Sequence, residues 1–284
     1  TTSDGSGGFW RPTIVGLKPE DFHRICKLSF NKMLNMKALF PDIGIRLVSG
    51  YEFFSSPPEI PIWSDIVFGF RRADPSEIKA VCPHATHGFF YTTIVVEPPK
   101  YLNFLYERIK KLGGTFEQKT LSSLSDAAMF FVQNRDTLTT AHRPNFIVNC
   151  SGLGARILAK DTGVHPIRGQ ILRVTPKQAS DSRFFLLDLT EKDNPSYILP
   201  RDDCCVLGGT EQKNDSRTVL DPADTVSIRR RCERLVPSIK DALVQGQWAG
   251  LRPGRETVRM DLDEAGIAEP YQQSGEGGRT QTSL

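Results

Sequence analysis

The chain has 284 residues, of which 39% are hydrophobic and 24% charged, a composition typical of a globular protein with one large core or two smaller ones. Its net charge of +3 is small and its basic residues are interspersed with acidic ones, which argues against a nucleic-acid-binding protein. No apolar run approaches the roughly 18 residues of a membrane-spanning helix and no secretory leader is recognisable, so we expect a soluble intracellular protein without a membrane partner.

The N-terminal part of the chain predicts two helices and three strands that share one sheet. Apolar residues recur at helical spacing in two segments, of which the first opens with Pro19 and the second ends at Gly113 and Gly114. Three further segments are rich in aromatic and β-branched residues, as strands are. We therefore expect helices over residues 19–40 and 99–112 and strands over residues 47–54, 66–70 and 88–96.

The rest of the chain predicts short strands, turns and one longer helix. We expect a strand that starts near Thr115, followed by a strand, a glycine turn and a helix over residues 143–160. Strands and turns are expected to alternate over residues 167–210, with a hairpin closed by residues 201–203. A basic amphipathic helix over residues 223–235 and a flexible tail over residues 266–284 complete the prediction. Arg229, Arg230 and Arg231 on the last helix, like Asp126 and Asp241, are expected to face solvent.

The six cysteines and the histidines predict no metal site. The cysteines are scattered without a CxxC pair, several of them among apolar residues, which indicates reduced residues that pack in a core. His84 and His87 stand three apart in a segment that begins with Cys82. Because no second ligand pair at zinc spacing accompanies them, we predict a polar turn there.

Residues 149–154, Asn-Cys-Ser-Gly-Leu-Gly, follow a predicted strand and are similar to half of a dinucleotide-binding turn. Position 157 is Ile rather than a third glycine, and no acidic residue stands about twenty positions on to bind a ribose. The residues alone leave two interpretations open, an independent nicotinamide site and a plain turn between strand and helix.

Two short apolar segments with glycine punctuation, residues 195–210 and 250–259, each carry a polar side chain that a core would not favour. These side chains are Tyr197 and Arg252. A planar guanidinium suits a carboxylate that accepts two hydrogen bonds, and a tyrosine hydroxyl donates one more. The pattern is typical of a site for a small carboxylate. The alternative is that both side chains bond to protein carbonyls or acids at a sheet edge.

In combination, these motifs and the segment Ile-Arg-Gly-Gln-Ile-Leu-Arg-Val at residues 167–174 resemble the D-amino-acid oxidase family. The resemblance extends over nearly the whole chain, from Thr1 to about Arg259. Within the family, residues 149–154 are most similar to the D-aspartate oxidases. The further matching segments are residues 1–12, 49–51, 68–72 and 91–93.

The resemblance implies an α/β fold in which a Rossmann-like FAD-binding domain is interleaved with a mixed-sheet substrate domain. The FAD-binding domain is expected to comprise residues 1–35, 115–165 and 256–284, and the substrate-binding domain residues 36–114 and 166–255. Members of the family begin with a strand and a Gly-x-Gly-x-x-Gly turn that binds the diphosphate, and they carry a Gly-His-Gly segment and a helix near their end. This sequence has neither, so we expect an incomplete FAD-binding domain in a chain truncated at both ends, with weak FAD binding and marginal stability.

By the same resemblance, the chain is an FAD-dependent oxidase that converts D-amino acids and O2 to 2-oxo acids, ammonia and hydrogen peroxide. Arg252 and Tyr197 are the expected substrate ligands, and no side chain is assigned a catalytic role. The expected FAD-binding residues are Thr1, Thr2, Ser3, Gly7, Gly8, Phe9, Thr120, Ser151 and Gly152. Two alternatives are a truncated, non-catalytic homologue that serves as a binding or dimerising module and a related flavoenzyme that acts on sarcosine or glycine.

The substrate side chain and the cellular location stay open at this point. D-aspartate oxidases use extra basic groups for the second carboxylate of the substrate, whereas Glu211 and the acidic loop at residues 188–193 would repel it here. Arg11 and Arg201 are candidates for compensating charge, so the overall resemblance alone favours an acidic substrate such as D-aspartate, and neutral D-amino acids stay open as the alternative. The C-terminal Thr-Ser-Leu faintly resembles a peroxisomal terminus, so we expect a peroxisomal or cytoplasmic protein, with a homodimer as one assembly left open.

Overall fold

The computed structural model describes residues 2–13, 16–133, 146–178, 183–191, 195–263 and 279–283. The helices are α1 (Pro19–Leu39), α2 (Pro75–Val81), α3 (Pro98–Lys111), α4 (Leu124–Gln133), α5 (Ala155–Leu158) and α6 (Pro222–Leu235), with short 3-10 helices at Gly152–Gly154 and Pro237–Asp241. The strands are β1 (Ile45–Phe54), β2 (Phe68–Arg72), β3 (His87–Val96), β4 (Phe146–Asn149), β5 (His165–Thr175), β6 (Phe185–Asp188), β7 (Ser196–Pro200), β8 (Cys205–Gly208), β9 (Gln212–Lys213), β10 (Leu243–Gly254), β11 (Met260–Asp263) and β12 (Arg279–Ser283).

Proline sets the start of the longer predicted helices. Pro19, Pro98 and Pro222 each occupy the first turn of α1, α3 and α6, where the missing backbone N–H costs nothing and the fixed φ angle suits a helix. The three predicted helices are therefore confirmed to within one or two residues. The same signal begins α2 at Pro75, which the sequence analysis did not predict.

The predicted strands are confirmed at β1, β2 and β3, and residues 201–203 join β7 to β8 as an antiparallel hairpin. Two predictions were wrong. Residues 115–121 form no strand, because residues 115–120 are all exposed and have no face to bury. Part of the predicted tail, Arg279–Ser283, is strand β12; residues 266–278 lie outside the described part of the chain.

Among the described residues, nine strands form one mixed sheet. Its order is β10-β5-β8-β7-β6-β1-β3-β2, and β9 pairs with β5. Strand β1 pairs in parallel with β6 and antiparallel with β3, and β7 pairs antiparallel with both β6 and β8. The predicted α/β class with a mixed sheet is confirmed. Tyr197 thereby lies on a strand with hydrogen-bonded neighbours on both sides.

Helix α6 packs its apolar side on this sheet. Its residues Ile228, Cys232 and Leu235 are buried in one cluster with Leu172, Ile198 and Leu207 of β5, β7 and β8. Burial of each large aliphatic side chain contributes about 1.5–3 kcal/mol relative to leaving it exposed. The helix is therefore firmly attached beneath the strands that carry the Tyr197 motif.

The chain divides into two compact units. The first comprises Thr1–Ile14, Lys18–Thr115 and Arg168–Leu251, and the second comprises Val15–Leu17, Phe116–Ile167 and Arg252–Leu284. The divisions after Thr115, Ile167 and Leu251 lie close to the predicted domain boundaries, but residues 1–14 and 18–35, which were predicted to join residues 115–165, belong to the first unit. The assignment of FAD-binding and substrate-binding roles to these parts stays a prediction.

The second unit contains a small three-stranded sheet in the order β11-β12-β4. Strand β12 pairs antiparallel with β11 and in parallel with β4. In the same unit, the Asp161 carboxylate forms ion pairs with Arg255 at 3.3 Å and with Arg259 at 3.1 Å.

Across the described residues of both units, no helix combines the length and the apolar character needed to cross a membrane.

Glu77 connects α2 to the main sheet and makes stability depend on pH. Its carboxylate accepts hydrogen bonds from both terminal nitrogens of Arg71 at 2.6 and 2.7 Å, from the Asp74 amide at 2.8 Å and from the Tyr51 hydroxyl at 2.9 Å. These hydrogen bonds lower the pKa of Glu77 from 4.5 to about 2, and the one from Arg71 has the largest effect. The stabilisation is therefore complete above about pH 4.5 and is lost as the pH falls toward 2.

We expect the Glu77→Gln variant to lose less thermal stability than the parent chain when the pH is lowered through this window. Glutamine cannot gain a proton, so its hydrogen bonds do not titrate. The measurement is the unfolding midpoint by circular dichroism across the acid range, with exposed Glu59→Gln as the matched control. An equal acid sensitivity of Glu77→Gln and the parent would contradict the assignment.

Candidate functional site

Tyr197 lies in the middle of β7, opposite Leu187 of β6 and Gly208 of β8. Its side chain is half-buried, whereas the two adjacent residues, Ser196 and Ile198, are buried. The strand is therefore held on both edges while the ring of Tyr197 keeps contact with solvent. This is the setting in which a phenol hydroxyl can meet a small ligand.

The Gly208-Gly209 pair leaves room for the ring of Tyr197. A Cβ atom added at Gly208 would lie 2.1–2.3 Å from Cζ, Cε2 and the hydroxyl of Tyr197, and one added at Gly209 would lie 2.8–3.1 Å from the same ring. The distances at Gly208 are too short for any non-bonded heavy atoms, and those at Gly209 would require the ring to shift. The glycine pair that the sequence presents is thus required by the packing of Tyr197 directly over this backbone.

Helix α6 supports the same backbone from below. Arg231 donates from Nη2 to the carbonyl oxygen of Gly209 at 2.7 Å, and the Cys232 thiol donates to the carbonyl oxygen of Tyr197 at 3.4 Å. The prediction that Arg231 faces solvent was wrong, because the residue is buried. Its position three residues after Ile228, on the apolar side of the helix, is the signal that could have revealed this contact.

The N-terminal segment belongs to the first unit and packs on its sheet. Thr2 donates from Oγ1 to the carbonyl oxygen of Leu251 at 3.0 Å, and Gly8 accepts a hydrogen bond from the Val96 amide at 2.7 Å. Phe9 packs edge-on against Phe185 of β6, with 4.7 Å between ring centroids. Ser3 accepts the Ser6 amide in a turn, Gly7 accepts from Arg201, and Thr1 lies outside the described residues.

Arg252 begins the last segment of the second unit, near the end of β10, and is exposed. Tyr197 belongs to the first unit. Each residue therefore has a defined place in the fold, while their joint action on one carboxylate stays a prediction. Thr2 reaches the residue directly before Arg252, so the N-terminal segment and this part of β10 are fixed to each other within the first unit.

The second unit offers a turn at the carboxyl end of β4. Asn149 is buried, its Oδ1 accepts the Ser151 amide at 3.1 Å, and its Nδ2 has no hydrogen-bond partner within the described residues. Gly152 has a φ of +56°, which favours glycine, and Ser151 and Thr120 are exposed. Ligands of α/β sheets bind beyond the carboxyl ends of parallel strands. A buried donor with no partner at such an end fits the expected contact with FAD.

The basic residues proposed to compensate for acidic groups are already paired. Arg11 donates from Nε to the buried Glu52 carboxylate at 2.5 Å. Buried Arg201 donates to the carbonyl oxygens of Val96 and Gly7 and lies 3.5 Å from Glu97. Both guanidiniums are therefore engaged by groups of the protein, and a role of either in binding a second substrate carboxylate stays a prediction. Glu211 is exposed.

Comparison with known proteins gives a family and several relatives. The family model described as FAD dependent oxidoreductase matches residues 1–271. The chain is 40% identical over 228 residues to a D-amino-acid oxidase of Rubrobacter xylanophilus, covering 79% of this chain and 63% of that one. It is 36% identical over 224 residues to the D-aspartate oxidase of Homo sapiens, covering 78% and 60%.

Among solved structures, the fold is similar to that of a glycine oxidase from Geobacillus kaustophilus, with a TM-score of 0.72. The sequence identity is 14%, and the match covers 99% of this chain and 78% of that one. At this identity the similarity concerns the fold alone. The matched part of this chain spans less than two thirds of the length of the two oxidases named above.

Proposed function

We propose that this chain, which belongs to the FAD dependent oxidoreductase family, acts in the oxidation of D-amino acids, in which O2 and water are consumed and 2-oxo acids, ammonia and hydrogen peroxide are formed. The observation that carries the proposal is the ring of Tyr197 packed over Gly208 and Gly209, which fixes the direction of one hydroxyl donor. The 40% identity to a D-amino-acid oxidase supports the same assignment.

FAD supplies the redox chemistry when it is bound, because its flavin ring accepts the hydride from the substrate α-carbon. The residues proposed to hold it, within the described part of the chain, are Thr2, Ser3, Gly7, Gly8, Phe9, Thr120, Ser151 and Gly152. Asn149 contributes a buried amide donor at that turn, and its Oδ1 keeps the Ser151 amide in place.

The protein's own task is to orient the substrate. The Arg252 guanidinium presents two parallel N–H donors to the substrate carboxylate, which fixes both the position and the rotation of that group. Tyr197 is the other proposed substrate ligand, as the family resemblance implies. Because the guanidinium holds both carboxylate oxygens, the α-carbon hydrogen has a defined direction in which to leave.

The substrate side chain is proposed to be small and neutral or to be that of D-aspartate. The pairing of Arg11 with Glu52 and of Arg201 with backbone carbonyls supports the neutral class. The 36% identity to a D-aspartate oxidase supports the acidic class. Rates measured with D-alanine, D-proline and D-aspartate under the same conditions decide between these two classes.

The test combines FAD binding with turnover. The purified 284-residue chain is titrated with FAD while flavin fluorescence is recorded, and hydrogen peroxide is then measured with each D-amino acid and its L-enantiomer. Production of peroxide from D-enantiomers alone supports the proposal. Saturable FAD binding without flavin reduction by any D-amino acid under anaerobic conditions would instead support the non-catalytic binding module.

We expect Tyr197→Phe to lower kcat/KM by about two- to tenfold. The ring keeps its place over the glycine pair, so the variant removes one neutral hydrogen bond worth about 0.5–1.5 kcal/mol. Peroxide production at limiting substrate is the measurement, and Tyr106→Phe on the exposed side of α3 is the matched control. Unchanged kinetics in Tyr197→Phe would remove the residue from the substrate site.

A further inference from the structure

A cluster of three side chains with metal-binding atoms lies in the first unit, outside the site described above. Cys82 follows the end of α2, His84 comes two residues later, and Asp188 ends β6. The Nε2 atom of His84 lies 3.3 Å from the Cys82 sulfur and 2.8 Å from Oδ2 of Asp188. All three ligand atoms lie within 4.8 Å of one another.

The two histidines of this segment have different partners. His87 lies 2.8 Å from the Thr86 hydroxyl, whereas His84 turns toward a carboxylate 104 residues away in the chain. The cluster therefore combines a thiol, an imidazole and a carboxylate. This is the set of donors that borderline divalent cations such as Zn²⁺ prefer.

The separations suit tetrahedral coordination after a small adjustment. Typical zinc-ligand distances place a sulfur and a nitrogen ligand about 3.5 Å apart, and a nitrogen and an oxygen ligand about 3.4 Å apart. The observed 3.3 and 2.8 Å are slightly shorter. Cys82 and Asp188 are buried, while the His84 side chain is 35% exposed, so the outward shift of roughly half an ångström that the ion requires falls on the histidine.

Asp188 is also held in the orientation that a ligand needs. Its other oxygen, Oδ1, accepts hydrogen bonds from the Thr190 amide at 3.0 Å and the Thr190 hydroxyl at 2.6 Å. Oδ2 is thereby directed toward His84. Metal-bound carboxylates are commonly fixed by hydrogen bonds of this kind from the surrounding shell.

We propose that Cys82, His84 and Asp188 form a site for one divalent cation of the zinc class, with the open position on the solvent side at His84. Burial, together with the Asp188 carboxylate, raises the pKa of the Cys82 thiol to about 12, so the residue is a neutral thiol before the ion arrives. Binding replaces the thiol proton, which passes to solvent, and forms the metal–sulfur bond. Arg234 contributes a nearby positive charge that is balanced by its ion pair with Glu191.

Cobalt(II) is the probe, because thiolate coordination gives it an intense charge-transfer band. The full chain is titrated with Co²⁺ under reducing conditions, and Zn²⁺ is then added as a competitor. The expected result is saturation at one ion per chain, with a thiolate-to-cobalt band that Zn²⁺ abolishes. The absence of this band in the folded chain would overturn the proposal.

Two variants test the Cys82 and His84 ligands, and a third is the control. Cys82→Ser is expected to abolish the charge-transfer band, and His84→Gln to weaken Co²⁺ binding by about tenfold or more. Cys150→Ser, which changes the one exposed cysteine, is expected to leave both unchanged. His84→Gln alters a partly exposed side chain and so provides a test even if Cys82→Ser does not fold. Retention of the band in Cys82→Ser, its loss in Cys150→Ser, or unchanged affinity in His84→Gln would each refute the site.

Discussion

Arg252→Lys is expected to lower the rate of D-amino acid oxidation by about a hundredfold while FAD stays bound. A lysine ammonium is a point charge and cannot present the two parallel donors of a guanidinium to a carboxylate. The substrate would then be held at one point rather than in one orientation, and a small misplacement of the α-carbon costs about a hundredfold in rate. The measurement is hydrogen peroxide production with D-alanine, D-proline and D-aspartate, with the flavin content of the variant recorded beside it.

Arg24→Lys provides the control for this experiment, since Arg24 is an exposed arginine of α1 that forms an ion pair with Asp21. Its rate should equal that of the parent chain. If Arg252→Lys keeps the parent rate on all three substrates, Arg252 is not the carboxylate ligand. If the rate falls together with the flavin content, the residue acts on cofactor binding instead.

The helices of this fold were predictable because their signals are local. Pro19, Pro98 and Pro222 mark helix starts, and the apolar spacing that follows each of them is independent of distant parts of the chain. The predicted strand near Thr115 failed for the complementary reason. A strand needs a face to bury, and residues 115–120 are all exposed.

The candidate site could be predicted in its parts but not in its contacts. The Tyr197 strand and the Gly-Gly turn are visible as short motifs in the sequence. That the ring packs on that turn, and that Arg231 supports it from α6, depends on residues brought together by the sheet. The cluster at His84 shows the same limit more strongly, because Asp188 reaches it from 104 residues away. No local pattern in the sequence encodes such a distance.

Gly208→Ala is expected to lower the free energy of unfolding by about 1–3 kcal/mol, the usual cost of an overpacked interior. The new methyl group would lie 2.1–2.3 Å from atoms of the Tyr197 ring, and both residues are fixed by the pairing of β7 with β8. The ring must therefore turn away, which also moves its hydroxyl. Denaturant unfolding gives the stability, and peroxide production gives the accompanying loss of activity.

Gly246→Ala is the matched control, because a Cβ atom at Gly246 on β10 would meet no heavy atom within 4 Å. This variant should retain the stability of the parent. A second test follows from the cause of the clash: adding Tyr197→Ala to Gly208→Ala removes the atoms that collide, so the two substitutions should cost less together than the sum of their separate effects. Additive losses would mean that Gly208 is required for some reason other than the ring, and the activity of Gly208→Ala would then no longer report on the position of the Tyr197 hydroxyl.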